Sequence, residues 1–150
     1  MRLELALEMR LSLGPRMHIS VSEQYTRGAV LVEGGTFSGP GISGTIVPGS
    51  GGDFPLVYSD GNGRFESQYL LKTDDGAFIL KRSTGVRQAP PEAVAKLLAR
   101  EPVDPSSYYM RMTPRFEAPA GPYEWLNRTI FIGVGQRNPE GSLFRFWKVV

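Results

Sequence analysis

The sequence predicts an all-β chain folded as a closed antiparallel β-barrel of about eight or nine strands with one short helix. Three observations predict it. Apolar and polar residues alternate in nearly every structured run, the period of a strand with one buried face. Turn chemistry separates the runs, with 18 Gly and 12 Pro among 150 residues. Only one stretch has helical spacing. Many strands with a single helix favour closure, because a closed barrel has no unpaired edge.

Taken in order, Leu3, Leu5, Leu7, Met9, Leu11 and Leu13 alternate with Arg2, Glu4, Glu8, Arg10 and Ser12, which predicts a long, half-buried strand ended by Gly14-Pro15. Residues 29–33 and 42–47 are short β-branched runs with Gly34-Gly35 between them. Asp60-Gly61 and Asn62-Gly63 are hairpin signals before a strand over 64–72, and Asp74-Asp75-Gly76 turns the chain into 77–82. Pro90-Pro91 opens the helix, Val94, Leu97 and Leu98 share its apolar face, and Pro102 stops it. Strands over 108–113, 126–134 and 142–149 complete the set, the last after the turn Asn138-Pro139-Glu140-Gly141.

The totals exclude several classes. With 41% hydrophobic and 21% charged residues, residues 1–150 suit one globular domain rather than a disordered chain. A net charge of +2, carried by scattered Lys and Arg, argues against nucleic acid as a partner. No Cys is present, so disulfides and thiolate chemistry are excluded. One His leaves no His-rich metal site, and a Ser-His-Asp triad has only His18 to use. The period-two N-terminus is not a signal peptide and no run spans a bilayer, so a cytoplasmic protein with no membrane partner is expected.

Several motifs dissolve on inspection. Gly39-Pro40-Gly41-Ile42-Ser43-Gly44 matches G-x-G-x-x-G, but a strand follows it where dinucleotide binding needs a helix. Asn127-Arg128-Thr129 fits a glycosylation sequon without a secretion signal. Asp74-Asp75-Gly76 reads as turn chemistry rather than a carboxylate pair. Asp53 differs, because it follows the glycine-rich 49–52 and so stands on a loop fit to line a barrel mouth.

Three strands have a polar face that is not simply solvating. Arg64, Glu66, Gln68 and Lys72 share one; Tyr109, Arg111 and Thr113 another; Trp125, Asn127 and Thr129 a third. Aromatic walls with a few placed polar groups suit a small-molecule site. Arg111 is therefore expected to point into the barrel.

The phrases GGTFSGPGISGTIVPGSGGDF, YLLKTDDGAFI, GVR, YYMRMTPRFE and YEWLNRTIFIG occur in that order. Together, over nearly the whole chain, they resemble the domain-of-unknown-function 3237 family, also known as uncharacterised protein family 0311. The resemblance implies a compact barrel, lipocalin-like in outline, and a small organic ligand of aromatic or polyketide type. Asp53, Tyr69, Thr73, Asp75, Gly76, Arg87, Tyr109, Arg111, Trp125 and Asn127 match the family pattern, while Phe54 replaces a usual Trp, Glu66 a usual Asp and Gln68 a usual Arg.

The expected function is a cofactor-independent enzyme, a lyase, isomerase or cyclase, acting by acid-base chemistry on a small aromatic or polyketide-like carbonyl compound inside the barrel. Glu66 or Asp53 is the candidate base, Arg111 the group that stabilises an enolate or binds a carboxylate, and Tyr109 a hydrogen-bond donor. Tyr69, Arg87, Trp125, Asn127 and Gln68 are candidate substrate contacts. A non-catalytic small-molecule binding barrel is the alternative. No cofactor or metal is expected, and a homodimer through an outer barrel face is one arrangement to look for.

Overall fold

In the computed structural model, which describes residues 1–150, the chain forms eleven strands, one α-helix and two 3-10 turns. The strands are β1 (Leu3–Leu13), β2 (Met17–Ser20), β3 (Tyr25–Gly39), β4 (Ile42–Ile46), β5 (Gly52–Asp53), β6 (Leu56–Tyr58), β7 (Gly63–Thr73), β8 (Phe78–Gln88), β9 (Tyr109–Glu117), β10 (Phe131–Asn138) and β11 (Gly141–Val149). The helix α1 is Pro91–Leu98, and the 3-10 turns cover Pro105–Ser107 and Glu124–Arg128.

All pairing is antiparallel. The order β1-β11-β10-β9-β8-β7-β4-β3 closes because β1 also pairs β3, so eight strands circle the barrel. β5 and β6 occupy the same column as β4, between β3 and β7, and β2 lies on β3 as an outer hairpin. Every strand of the ring has a neighbour on both sides, although β9 and β10 pair only at Gly133–Met112 and Val134–Arg111. Arg2 and Val150 exchange two backbone hydrogen bonds, so the chain ends lie side by side. No helix is long and apolar enough to cross a membrane.

Local chemistry changes several expected elements. The alternation of β1 does not hold throughout: a bulge at Ala6 shifts the register between Leu5 and Leu7. Leu7, Met9 and Leu11 therefore face the core, while Leu3 and Leu5 turn outward. Gly34-Gly35 is not a turn. β3 runs straight through it, and Gly35, at φ 141°, passes so close to β1 that a Cβ there would lie 2.0 Å from the Arg10 carbonyl oxygen. On α1, Val94 and Leu97 are buried as expected, but Ala93 joins them and Leu98 is exposed. Residues 126–128 belong to a 3-10 turn rather than a strand, and β10 starts at Phe131.

The interior has two characters. One region is packed with Leu7, Leu71, Ile79, Phe116, Phe131 and Phe146. Phe116 lies edge-on to both Phe131 and Phe146. Gly133 and Gly135 on β10 leave space for Met112, Met110 and Phe146, whose side chains a Cβ would strike. The other region is polar, and it holds the candidate site.

Candidate functional site

The polar interior is built by parity. β8 points Ile79, Lys81, Ser83 and Arg87 inward; β7 points Phe65, Ser67 and Tyr69 inward. Register places Tyr69 opposite Lys81 and Ser67 opposite Ser83. The Lys81 ammonium is fully buried and donates to Ser67 Oγ at 3.1 Å, Tyr69 Oη at 3.0 Å and Ser83 Oγ at 2.9 Å. It also sits 4.6 Å from the Tyr69 ring centre and 5.4 Å from those of Phe144 and Phe146. Burial pulls its pKa down to about 7, and the charge on Asp53 pushes back only in part.

Nearer the mouth, β5 places Asp53 opposite Ser67, and β10 brings in Arg137 one residue before its end. Asp53 Oδ2 lies 3.7 Å from an Arg137 Nη, both side chains being largely buried. Burial raises the Asp53 carboxyl above the usual carboxylate range, against the opposing pull of Arg137, Lys81 and Arg16. Arg87, 9% exposed, donates through an Nη to the Gly61 carbonyl at 2.8 Å. Arg16, on the linker between β1 and β2, walls the same spaces as Arg137. Four buried polar atoms lack a partner: Asp53 Oδ1, Arg87 Nε, Arg137 Nε and Ser142 Oγ. An unpaired buried donor or acceptor costs roughly 1–3 kcal/mol. One Asp53 oxygen and two guanidinium Nε atoms, all unpartnered on the walls of one space, mark a place made for a ligand or ordered water.

Of the residues expected in the site, Asp53, Tyr69 and Arg87 face this interior. Glu66, Gln68, Tyr109 and Arg111 do not. They lie on the outside of β7 and β9, and Arg111 is laid over the Tyr109 ring at 4.8 Å with one Nη bonded to the Met110 carbonyl. Alternation fixes only that two faces differ, and in β9 the core takes Tyr108, Met110 and Met112. The outward residues line two adjoining shallow grooves of about 630 and 620 Å3, which share Glu66, Thr84 and Thr113. Gln68 accepts from Arg82 there at 2.8 Å, and Arg82 also meets Glu117 at 3.0 Å.

Trp125 and Asn127 stand apart from both regions. Trp125 packs against Phe131, 6.0 Å between rings. Asn127 accepts from the Ala118 N–H at 2.7 Å and donates to the Ala118 carbonyl at 2.9 Å, clamping the β9–β10 connection. The expected binding of ligand inside the barrel meets a packed interior: each of the three spaces around Arg137 has about 20 Å3 free for a water-sized centre, room for one water. His18 is exposed on β2. No group of three His, Asp or Glu is close enough to hold a metal ion.

Sequence reasoning passed over Lys81, Arg137 and Arg16. The outward face of β8 carries Phe78, Leu80 and Val86, so hydrophobicity points the wrong way there. For Arg137 a signal existed: Phe131-Gly133-Gly135-Arg137 is one period-two face, with two glycines that only a crowded interior requires.

A family model described as a protein of unknown function (DUF3237) matches residues 1–149. A UPF0311 protein of Rhodopseudomonas palustris is 38% identical over 114 residues, 76% of this chain and 74% of that one. A hydroalkoxylation enzyme of Penicillium herquei is 23% identical over 147 residues, 98% of this chain and 83% of that one. Among solved structures, a protein of unknown function from R. palustris superposes with a TM-score of 0.90 at 30% identity, over 99% of this chain and 98% of its own. A beta-barrel like protein from Acinetobacter baumannii gives 0.84 at 31% identity, over 98% and 94%.

Proposed function

The chain belongs to the DUF3237 family of proteins of unknown function, and from that premise we propose that it is an enzyme that moves protons within a small, carbonyl-bearing aromatic ligand at the charged mouth of its barrel. Asp53 is the base. Arg137, Arg87 and Arg16 receive the negative charge that develops on the ligand. One observation carries the reading: a buried carboxylate, raised by desolvation, stands near Arg137 and Arg87, whose buried Nε–H donors have no partner. The ligand reaches Asp53 by displacing Arg16 on its short linker.

The chemistry needs no further reactant. Asp53 takes the proton of a ligand hydroxyl, whose oxygen adds to the far carbon of a C=C conjugated with a carbonyl. The electron pair passes to the carbonyl oxygen as an enolate facing the arginines. The carbon next to the carbonyl then takes the proton back from Asp53, leaving an isomer with one new C–O bond. The similarity to a hydroalkoxylation enzyme supports this reaction class.

The test runs in D2O with a panel of hydroxylated aryl ketones and enones. Each recovered compound is examined for new C–D bonds by mass spectrometry and NMR. Asp53→Asn is expected to lower deuterium incorporation by about 10²-fold or more, while Glu66→Gln and Arg111→Ala keep it. The reverse pattern would move the chemistry to the outer face and sink this assignment.

A second reading has its own observation. The outer grooves are far roomier than any interior space, and their size suits a drug-sized ligand. On this reading Glu66, Gln68, Tyr109 and Arg111 bind a small molecule without altering it, and the panel returns unlabelled.

A further inference from the structure

We propose that the barrel mouth is an anion site, taking a compact oxyanion, a carboxylate or a phosphate, between Arg16 and Arg137, with Arg87 and Arg100 at its margin. The site stands on charge, geometry and unmet hydrogen bonding, and it holds whether or not Asp53 performs chemistry.

The charge is out of balance. Arg16, Arg100 and Arg137 wall one space with Glu101; Arg16, Arg87 and Arg137 wall the next with Asp53, and Arg64 is at its rim. Guanidinium groups stay protonated in proteins, so crowding them costs free energy that only nearby anions offset. Asp53 alone is inside, and it reaches Arg137 at 3.7 Å, longer than a close ion pair. Burial, and after it the nearby Arg137 and Arg100, disfavours the charge on Arg16; burial, and after it Arg137 and Arg16, disfavours that on Arg87.

The hydrogen bonding is also incomplete. Arg137 Nε and Arg87 Nε are buried and unpartnered, although each belongs to a planar fork suited to an oxyanion. Arg87 is nine-tenths buried, so bulk water does not meet this need. The two spaces share Arg16 and Arg137 as walls, and each has room for one water. An oxyanion seated between the two spaces draws Arg16 inward, and Arg100 is already anchored beside it through a 2.8 Å bond to the Gly14 carbonyl.

The experiment measures thermal unfolding and binding heat for the full chain against inorganic phosphate, sodium benzoate, benzyl alcohol and sodium chloride, all at matched ionic strength. Phosphate or benzoate is expected to raise the unfolding temperature beyond chloride. Phosphate alone identifies a free inorganic ion as the occupant, and benzoate alone a ligand carboxylate. Arg16→Gln, on the linker between β1 and β2, removes no hydrogen bond or ion pair of the fold, so it is expected to fold and to weaken the effective anion by at least about tenfold. Asp53→Asn removes the competing carboxylate and is expected to tighten it, even though the same change slows the proposed reaction. A failed reaction and a failed anion site are thus told apart. The proposal is overturned if neither anion exceeds chloride, if benzyl alcohol stabilises as well as benzoate, if Arg16→Gln retains full affinity, or if Asp53→Asn weakens binding.

Discussion

Lys81 is a cation that the barrel would be more stable without. Its three oxygen partners and surrounding rings do not recover its lost hydration, which is why its pKa falls to about 7 from an ordinary 10.5. Between those two values the unfolded chain binds the proton and the folded chain does not. This group's contribution to stability therefore rises as pH climbs from 7 toward 10.5. Replacing it with a methionine of similar length is expected to raise stability at pH 7 by about 1–3 kcal/mol. Urea unfolding of both proteins from pH 6 to 10 checks this: the gap should shrink with rising pH, and a constant gap would contradict the assignment. A core group kept at a cost to stability agrees with a working interior, the same inference drawn from Asp53. Asn127 is the opposite case. Its two bonds to Ala118 hold a connection together, so Asn127→Ala should cost about 1–2 kcal/mol. A variant of unchanged stability would return Asn127 to the ligand contacts where its polar neighbours first suggested it.

At the scale of elements, what could be read in the sequence depended on whether a strand's two faces differed in hydrophobicity. β9 was legible as a strand, since Met110 and Met112 alternate with Tyr109 and Arg111, yet the direction of Arg111 was not, because alternation has no sign. On β8 hydrophobicity alone carries the wrong sign, with Phe78, Leu80 and Val86 outside and Lys81 and Arg87 within. Asp53, Tyr69 and Arg87 came to the interior through the family pattern and a glycine-rich loop, while Glu66, Gln68, Tyr109 and Arg111 fell outside together, as one wrongly signed face. β1 shows how local exceptions hide. Six alternating apolar residues conceal a bulge at Ala6 that only the pairing with β11 reveals. Gly34-Gly35 hid a different fact, since a close approach of two strands uses the same residue as a turn. Gly35→Ala, with its Cβ driven against the Arg10 carbonyl, is expected to lose roughly 3 kcal/mol. Chemical denaturation measures that directly, and a neutral result would mean β1 and β3 can separate there.

For the whole molecule, the barrel was legible because closure is the common answer to many strands and few helices. Its count of eight around the ring lay within the expected range, and the extra strands are short pieces sharing one column or lying outside it. The polarity of its interior was not legible, because that depends on which residues eight strands bring to one end. The closing contacts join β1 to β3 and to β11, the latter pairing spanning nearly the full chain, so folding on a timescale of about milliseconds to seconds is expected. The side-by-side ends, Arg2 against Val150, have a further consequence for connectivity. A ring has no natural start: joining residue 150 to residue 1 through a short flexible linker and reopening the chain at the exposed Asp74-Asp75-Gly76 turn rewrites the order of the strands without removing a pairing. Such a circular permutant should keep the native circular-dichroism spectrum and the anion response at the mouth.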